Sequence, residues 1–323
     1  MISRRKLAGL GAAAVVLGAG GWLLGRSRQR QAAEALYAQP VAAPLSPLRV
    51  FHLGHSLVGR DMPAMLAQLA PVGHDYASQL GWGATLRSHW YPDVPVNGFE
   101  AENAHPRFLP AREAVEAGDF DAIVLTEMVE LKDAIHYHDS PDYLAEWGSA
   151  ARAAHPDVRL YLYETWHNTD DPAGWLDRID ADFDGLWMQR LALPASARIG
   201  APVHVIPAGQ VLAAFVRRVE GQGGVGQGGV GQGGGGTVAG RDDLMARTPE
   251  GAVDTIHLGD LGAYLVALTH YATLYHRSPV GLPLQLMRAD GTAAQAPDPQ
   301  AGALMQEIVW DVVRRTPASG VAA

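Results

Sequence analysis

Five short apolar runs recur between helical patterns along this chain, and that alternation constrains the fold more than any other feature. The runs are 48–53 (LRVFHL), 74–80, 121–127 (DAIVLTE), 158–164 (VRLYLYE) and 202–206 (PVHVI). They have strand length and are rich in β-branched and aromatic residues. Residues near 60–70, 108–117, 141–154, 172–192, 209–219, 259–276 and 300–314 follow helical periodicity instead. Strands apolar on both faces and separated by helices imply a parallel sheet covered on both sides. The expected fold class is α/β, a three-layer α/β/α flavodoxin-like sandwich with a five-stranded parallel sheet. Sites in that architecture gather at the carboxyl ends of the strands. Ser56 and Glu127 fall at that edge, with Glu164 and His167 close behind.

Composition narrows the chemistry. The chain is 48% hydrophobic and 18% charged over 323 residues, enough for one sizeable core, which we place at 48–316. A net charge of -9 argues against a nucleic-acid partner. There is no cysteine. Disulfides, a thiol nucleophile, zinc-thiolate sites and cysteine lipidation are excluded.

The first 30 residues point to a compartment. Arg4, Arg5 and Lys6 precede 19 uncharged residues, Leu7 to Gly25. Ser3-Arg4-Arg5 resembles the start of a twin-arginine export signal, although Leu7-Ala8 replaces the usual bulky pair. Arg26, Arg28 and Arg30 after the apolar run suit an uncleaved anchor, and 19 residues just span a bilayer. Residues 1–30 are therefore expected to be an export signal or membrane anchor. Either places the domain in the periplasm or elsewhere outside the cytoplasm, with membrane contact only through this segment. Residues 31–47, rich in Ala and Pro, read as a linker. Residues 221–236 (GQGGVGQGGVGQGGGG) read as the core of a flexible insertion over 221–240. With no following Lys-Ser/Thr they do not form a nucleotide loop.

Ser56 stands after Gly54-His55, on a turn from strand to helix, where backbone N–H groups can stabilise an oxyanion. Asp254-Thr255-Ile256-His257 follows near the other end, its Asp and His close enough to share one turn. A serine nucleophile, a histidine base and an orienting carboxylate are the equipment of acyl transfer. His52-x-x-His55 and His136-x-His138-Asp139 offer metal-ligand chemistry, but nothing resembles a paired carboxylate-histidine scaffold. No metal and no cofactor are expected. Trp82, Trp90, Trp166 and Trp175 flank the predicted site loops. Aromatic faces there suit sugar rings, and ordinary packing is the competing reading.

Gly54-His55-Ser56-Leu57 and Asp254-x-x-His257 together resemble the first and last blocks of the SGNH/GDSL hydrolase superfamily, whose first block reads Gly-Asp-Ser-Leu. Closer still is an uncharacterised bacterial subgroup with a Gly-Asn-Ser block, through the Gly83 to His89 segment, Thr165-Trp166 and Pro207-Ala208-Gly209. The resemblance implies a serine esterase in which Ser56 attacks, His257 is the base and Asp254 orients it. It also implies an oxyanion hole from the N–H groups of Ser56 and Gly83, with Gly81 the alternative to Gly83. The third-block asparagine is missing: the chain reads Thr126-Glu127-Met128-Val129-Glu130 there. Thr126, Gln79 and Asn103 are the candidate replacements. His55, Glu127 and Trp166 are the candidate substrate-binding residues. The implied activity is hydrolysis of acyl esters, chiefly acetyl, of a carbohydrate or other polar substrate. An O-acyltransferase and an inactive carbohydrate-binding protein are the alternatives on the same fold.

Overall fold

A computed structural model describes residues 30–225 and 237–323. At its centre five parallel strands run in the order β2-β1-β3-β4-β5: β1 Arg49–His55, β2 Asp75–Gly81, β3 Ala122–Leu125, β4 Arg159–Glu164 and β5 Val203–Pro207. They coincide with the five apolar runs, and the chain adopts the three-layer α/β/α fold. The helices are α1 Asp61–Leu69, α2 Leu86–Trp90, α3 Phe99–Asn103, α4 Ala111–Ala117, α5 Leu131–Tyr137 and α6 Ser140–Ala154. Beyond these come α7 Trp175–Asp182, α8 Leu193–Ile199, α9 Ala208–Gln222, α10 Asp260–Tyr275 and α11 Pro299–Arg315.

Successive strand residues face opposite sides, so each run feeds two cores. Val50, Val124, Tyr161, Tyr163 and Ile206 pack on one side with residues of α1, α9, α10 and α11. Phe51, Leu53, Ile123, Leu125, Leu160, Leu162, Val203 and Val205 pack on the other with residues of α4, α6 and α8. Between Leu261 and Tyr275, α10 buries every residue except Ala263. It bridges the sheet and three neighbouring helices, which explains its lack of a polar face.

Several elements depart from the sequence expectation. The single helix expected over 172–192 is α7 followed by a π-helical stretch, Phe183–Ala192. Two short strands, β6 Met245–Arg247 and β7 Val253–Leu258, form an antiparallel pair absent from the sequence reading. Residues 31–47 are not a free linker: Ala33 is buried, Tyr37 Oη donates to the Val203 carbonyl, and the Val41 N–H donates to Gly320. Within the expected insertion 221–240, α9 continues to Gln222, and Val225 and Val238 exchange backbone hydrogen bonds. The rest of the glycine-rich repeat, and the expected export signal or anchor apart from Arg30, lie outside the described residues. Among the described residues no helix is long and apolar enough to cross a membrane.

The core holds many titratable groups, and they set the pH dependence of stability. His55, His89 and His270 are buried, and burial pushes each down to about 4. Burial also holds His52 well below the usual histidine range. These imidazoles stay neutral in the fold but gain protons when unfolded, so their contribution is lost as pH falls from about 6.5 toward 4. Burial raises Glu127 to about 7 and Glu164 to about 8, so both stay protonated in the fold where the unfolded chain has ionised. Their contribution is lost as pH rises from the usual carboxylate range through those values. The histidines outnumber the carboxylates while the unfolded imidazoles still carry protons, up to about pH 7, and the carboxylates prevail only above that. Thermal melts should therefore show Tm rising from about pH 4.5 to 7 and declining gently toward pH 8. Glu127→Gln should soften the decline, and a profile above pH 7 that the substitution leaves unchanged would contradict this assignment.

Candidate active site

Ser56 and His257 are 201 residues apart in sequence, yet His257 Nε2 lies 3.0 Å from Ser56 Oγ. His257 Nδ1 lies 3.0 Å from Asp254 Oδ2. The other Asp254 oxygen accepts the N–H groups of Ile256 and His257, each at 2.8 Å. Burial alone would raise the Asp254 carboxyl, but those N–H groups and the His257 ring together hold it below the usual carboxylate range. An ionised Asp254 fixes the proton on Nδ1 and leaves Nε2 free to accept from Ser56.

A bulge places the Asp and His. Met245 pairs with Leu258 and Arg247 with Val253, so the single residue Ala246 opposes the four residues Asp254 to His257. Bulges re-aim side chains next to sites, and here the Asp254 carboxylate fills the bulge from within. Asp254 is thus not the cap of α10, which starts at Asp260 after Gly259. The loop after β4 holds the bulge from outside. Trp166 Nε1 donates to the Ile256 carbonyl at 2.8 Å, the Thr169 N–H to Thr255 at 2.8 Å, and Thr255 Oγ1 to Asn168 Oδ1 at 3.1 Å. That loop is pinned in turn by Arg178, whose guanidinium bonds Asp171 and Asp182 at 2.8 Å and also Glu130. His167 Nε2 lies 3.1 Å from Asp182 Oδ2. Glu130, His167 and Asp182 are close enough together to resemble a metal cluster, but Arg178 already bonds two of them.

The serine side depends on one close approach. A Cβ at Gly54 would lie 2.6 Å from Thr126 Cβ, so only glycine lets β1 and the end of β3 come together beneath Ser56. Opposite, Gly83 has φ +58°, a left-handed conformation that favours glycine. Neither the Ser56 nor the Gly83 N–H donates to any acceptor among the described residues. Thr85 and Ser88 cap α2 reciprocally at 3.0 Å. His89 then ties α2 to β1: its Nε2 donates to the Gly54 carbonyl at 2.8 Å, and its Nδ1 accepts from Gln79 at 2.9 Å. The segment from Gly83 to His89 is therefore one rigid unit anchored on the strand that carries Ser56.

His55, Glu127 and Trp166 were expected to touch substrate, but the structure buries them, with 2%, 0% and 1% exposure. His55 Nδ1 faces the Leu57 N–H and its Nε2 donates to the Glu127 carbonyl at 2.9 Å, joining the ends of β1 and β3. Glu127 Oε1 accepts the N–H groups of Met128 at 2.8 Å and Leu86 at 3.3 Å, and so braces the start of α2. Sequence position put these residues at the sheet edge, and their side chains turn beneath it. Two expected substitutes for the missing asparagine are committed elsewhere. Asn103 bonds both backbone groups of Leu80, and Gln79 bonds His89 and the Ala111 N–H. Thr126 Oγ1 is buried and unpartnered.

Ser56 and His257 open onto a cleft of about 1030 Å³. Gly83, Arg60, His105, Tyr76 and Trp82 line it with them. Of the four tryptophans noted in sequence, only Trp82 is well exposed, at 53%. Its Nε1 donates to Glu102 at 2.7 Å. Trp166 and Trp175 are buried, and Trp90 packs edge-on against Trp147.

No family model matches this chain, and no curated protein matches it. Among solved structures it is similar to a DUF4886 family protein from Bacteroides uniformis. The TM-score is 0.50 at 15% identity, over 83% of this chain and 95% of that one. It is more distantly similar to a carbohydrate esterase family 2 enzyme with a carbohydrate binding domain from Corynascus thermopiles. There the TM-score is 0.31 at 14% identity, over 51% of this chain and 58% of that one. At 15% identity the first likeness is one of fold alone, and nothing is drawn from the second.

The Trp166–Ile256 hydrogen bond gives a direct test of how the histidine is held. Trp166→Phe keeps an aromatic ring but leaves the Ile256 carbonyl unpaired. Turnover should fall about ten-fold or more with KM little changed, because a small displacement of the base is costly in the transition state. Steady-state kinetics with an ester substrate, beside a melting curve, make the measurement. Full turnover in a folded Trp166→Phe protein would remove this bond from the account.

Proposed function

We propose that this protein is a serine esterase of the SGNH type that removes acetyl or similar acyl groups from a carbohydrate or comparably polar ester. The observation that carries the reading is the unbroken hydrogen-bond chain from Ser56 Oγ through His257 to Asp254, with both links at 3.0 Å. Ser56 Oγ attacks the ester carbonyl as its proton passes to His257 Nε2. The oxyanion meets the unpaired N–H groups of Ser56 and Gly83. Collapse of the tetrahedral intermediate expels the alkoxide, which takes the proton from His257 and leaves an acyl-serine. Water, deprotonated by His257, attacks that ester, and the proton returns to Ser56 as the acid departs.

A missing side-chain donor in the oxyanion hole costs about 3 kcal/mol of transition-state stabilisation. Turnover is accordingly expected to be modest. Polar lining around the cleft suits a hydroxyl-rich leaving group, and the exposed Trp82 offers a ring face. The carbohydrate assignment draws on these features. An export signal or anchor in the first 30 residues would place the enzyme outside the cytoplasm.

Hydrolysis of a neutral acetylated monosaccharide, followed by acetate release, tests the reading. Ser56→Ala should lower kcat by about 10⁴-fold or more, and Asp254→Asn by a similar order through the wrong tautomer. A Ser56→Ala protein that keeps its activity would exclude Ser56 as nucleophile.

A further inference from the structure

The cleft holds two nitrogen donors that the esterase chemistry does not use. Arg60 lies four residues after Ser56, and its exposed side chain has no ion pair or hydrogen bond among the described residues. The segments outside the described residues contain no Asp or Glu that would pair with it. The other two arginines of the lining are committed: Arg107 is paired with Asp75, and Arg288 bonds Asp260 at 2.6 Å and 2.8 Å. His105 is the second donor. Its Nδ1 accepts the Arg107 N–H at 3.1 Å, which fixes the proton of the neutral ring on Nε2. That Nε2 is itself buried and has no partner among the described residues. A buried N–H donor without an acceptor is costly unless something in the site accepts it.

The three carboxylates lining the cleft each have a neutral donor. Asp61 accepts the Ala289 N–H, Glu102 the Trp82 indole, and Asp290 the Thr292 N–H and hydroxyl. Burial holds the His105 ring below the usual histidine range, the nearby positive charge of Arg60 adds to this, and Glu102 opposes it.

We propose that Arg60 and His105 form an anion-binding subsite, and that the alcohol part of the substrate carries a monoanionic group, a carboxylate or a sulfate, near the esterified hydroxyl. A guanidinium fork takes two oxygens, and the His105 N–H, closed to solvent as the ring now lies, adds a third bond once the ring turns toward the ligand. One guanidinium and one neutral N–H bring a single positive charge, which matches a monoanion. A dianion would leave a charge uncompensated beside Asp61 and Glu102. The exposed Trp82 lies in the same cleft, so an acidic sugar ring has a platform as well as a charge partner. The substrate part of this proposal rests on the esterase reading, whereas the anion subsite itself does not.

Calorimetry separates the two. Ser56→Ala protein is titrated with glucose, glucuronate, glucose 6-sulfate and glucose 6-phosphate. Glucuronate, glucose 6-sulfate or both should bind about ten-fold or more tightly than glucose, less so in high salt. Which of them binds identifies the group. Adding Arg60→Gln should bring the ratio of anion to glucose affinity toward one, with Tm unchanged because Arg60 has no partner to lose. In the active enzyme, the kcat/KM ratio of an acetylated uronate to acetylated glucose should fall in the same variant. Equal binding of glucose and both monoanions, or a preference that survives Arg60→Gln, would overturn the proposal. Tightest binding of the phosphate would overturn the monoanion assignment. Anion preference without hydrolysis of any ester would leave the subsite standing and the esterase reading refuted.

Discussion

The strand order of the sheet is the constraint on which the site depends. With β1 between β2 and β3, the chain leaves β1 toward one side and β3 toward the other. The two connections diverge above the carboxyl ends, and a crevice opens there. Ser56 emerges on one flank of that crevice. The loop after β3 forms the other flank, and the Gly54–Thr126 contact sets how closely the two approach. Everything else in the site is a means of bringing the Gly83 segment and the Asp254–His257 bulge to that point.

Buried polar groups supply those means. His55, His89, Glu127 and Gln79 cross-link the ends of β1, β2 and β3 to α2 and α4, while Trp166 and the Arg178 network brace the histidine from the β4 side. Each such group is costly to bury and inexpensive once its partners are met. The same groups make the fold sensitive to both acid and alkali, because so many of them must stay neutral. The orientation of the reactive atoms and the pH stability of the protein thus share one physical origin.

The sheet was legible in the sequence because its strands are buried on both faces, and uninterrupted apolar runs such as 121–127 and 158–164 have few other interpretations. Short α2 and α3 and the pair β6–β7 were not, since elements of three to six residues carry too little periodicity to stand out. The π-helical stretch from Phe183 escaped for a related reason: its residues read as helix whichever bond pattern they adopt. Ser56, Asp254 and His257 stood out through residue type and order, and they converge in the structure. For His55, Glu127 and Trp166, sequence located the sheet edge but not which way a side chain turns from it, and all three point beneath the cleft. Arg60 and His105 gave no sequence signal at all. What distinguishes them is the partners they lack, and that is a tertiary property.

Reaction with a serine-directed phosphonate, followed by peptide mapping, tests the central claim most directly. The geometry predicts one adduct per chain, on Ser56, absent in Ser56→Ala and formed far more slowly in His257→Ala because the hydroxyl then lacks its base. An adduct on a different residue, or equal labelling rates with and without His257, would contradict the account.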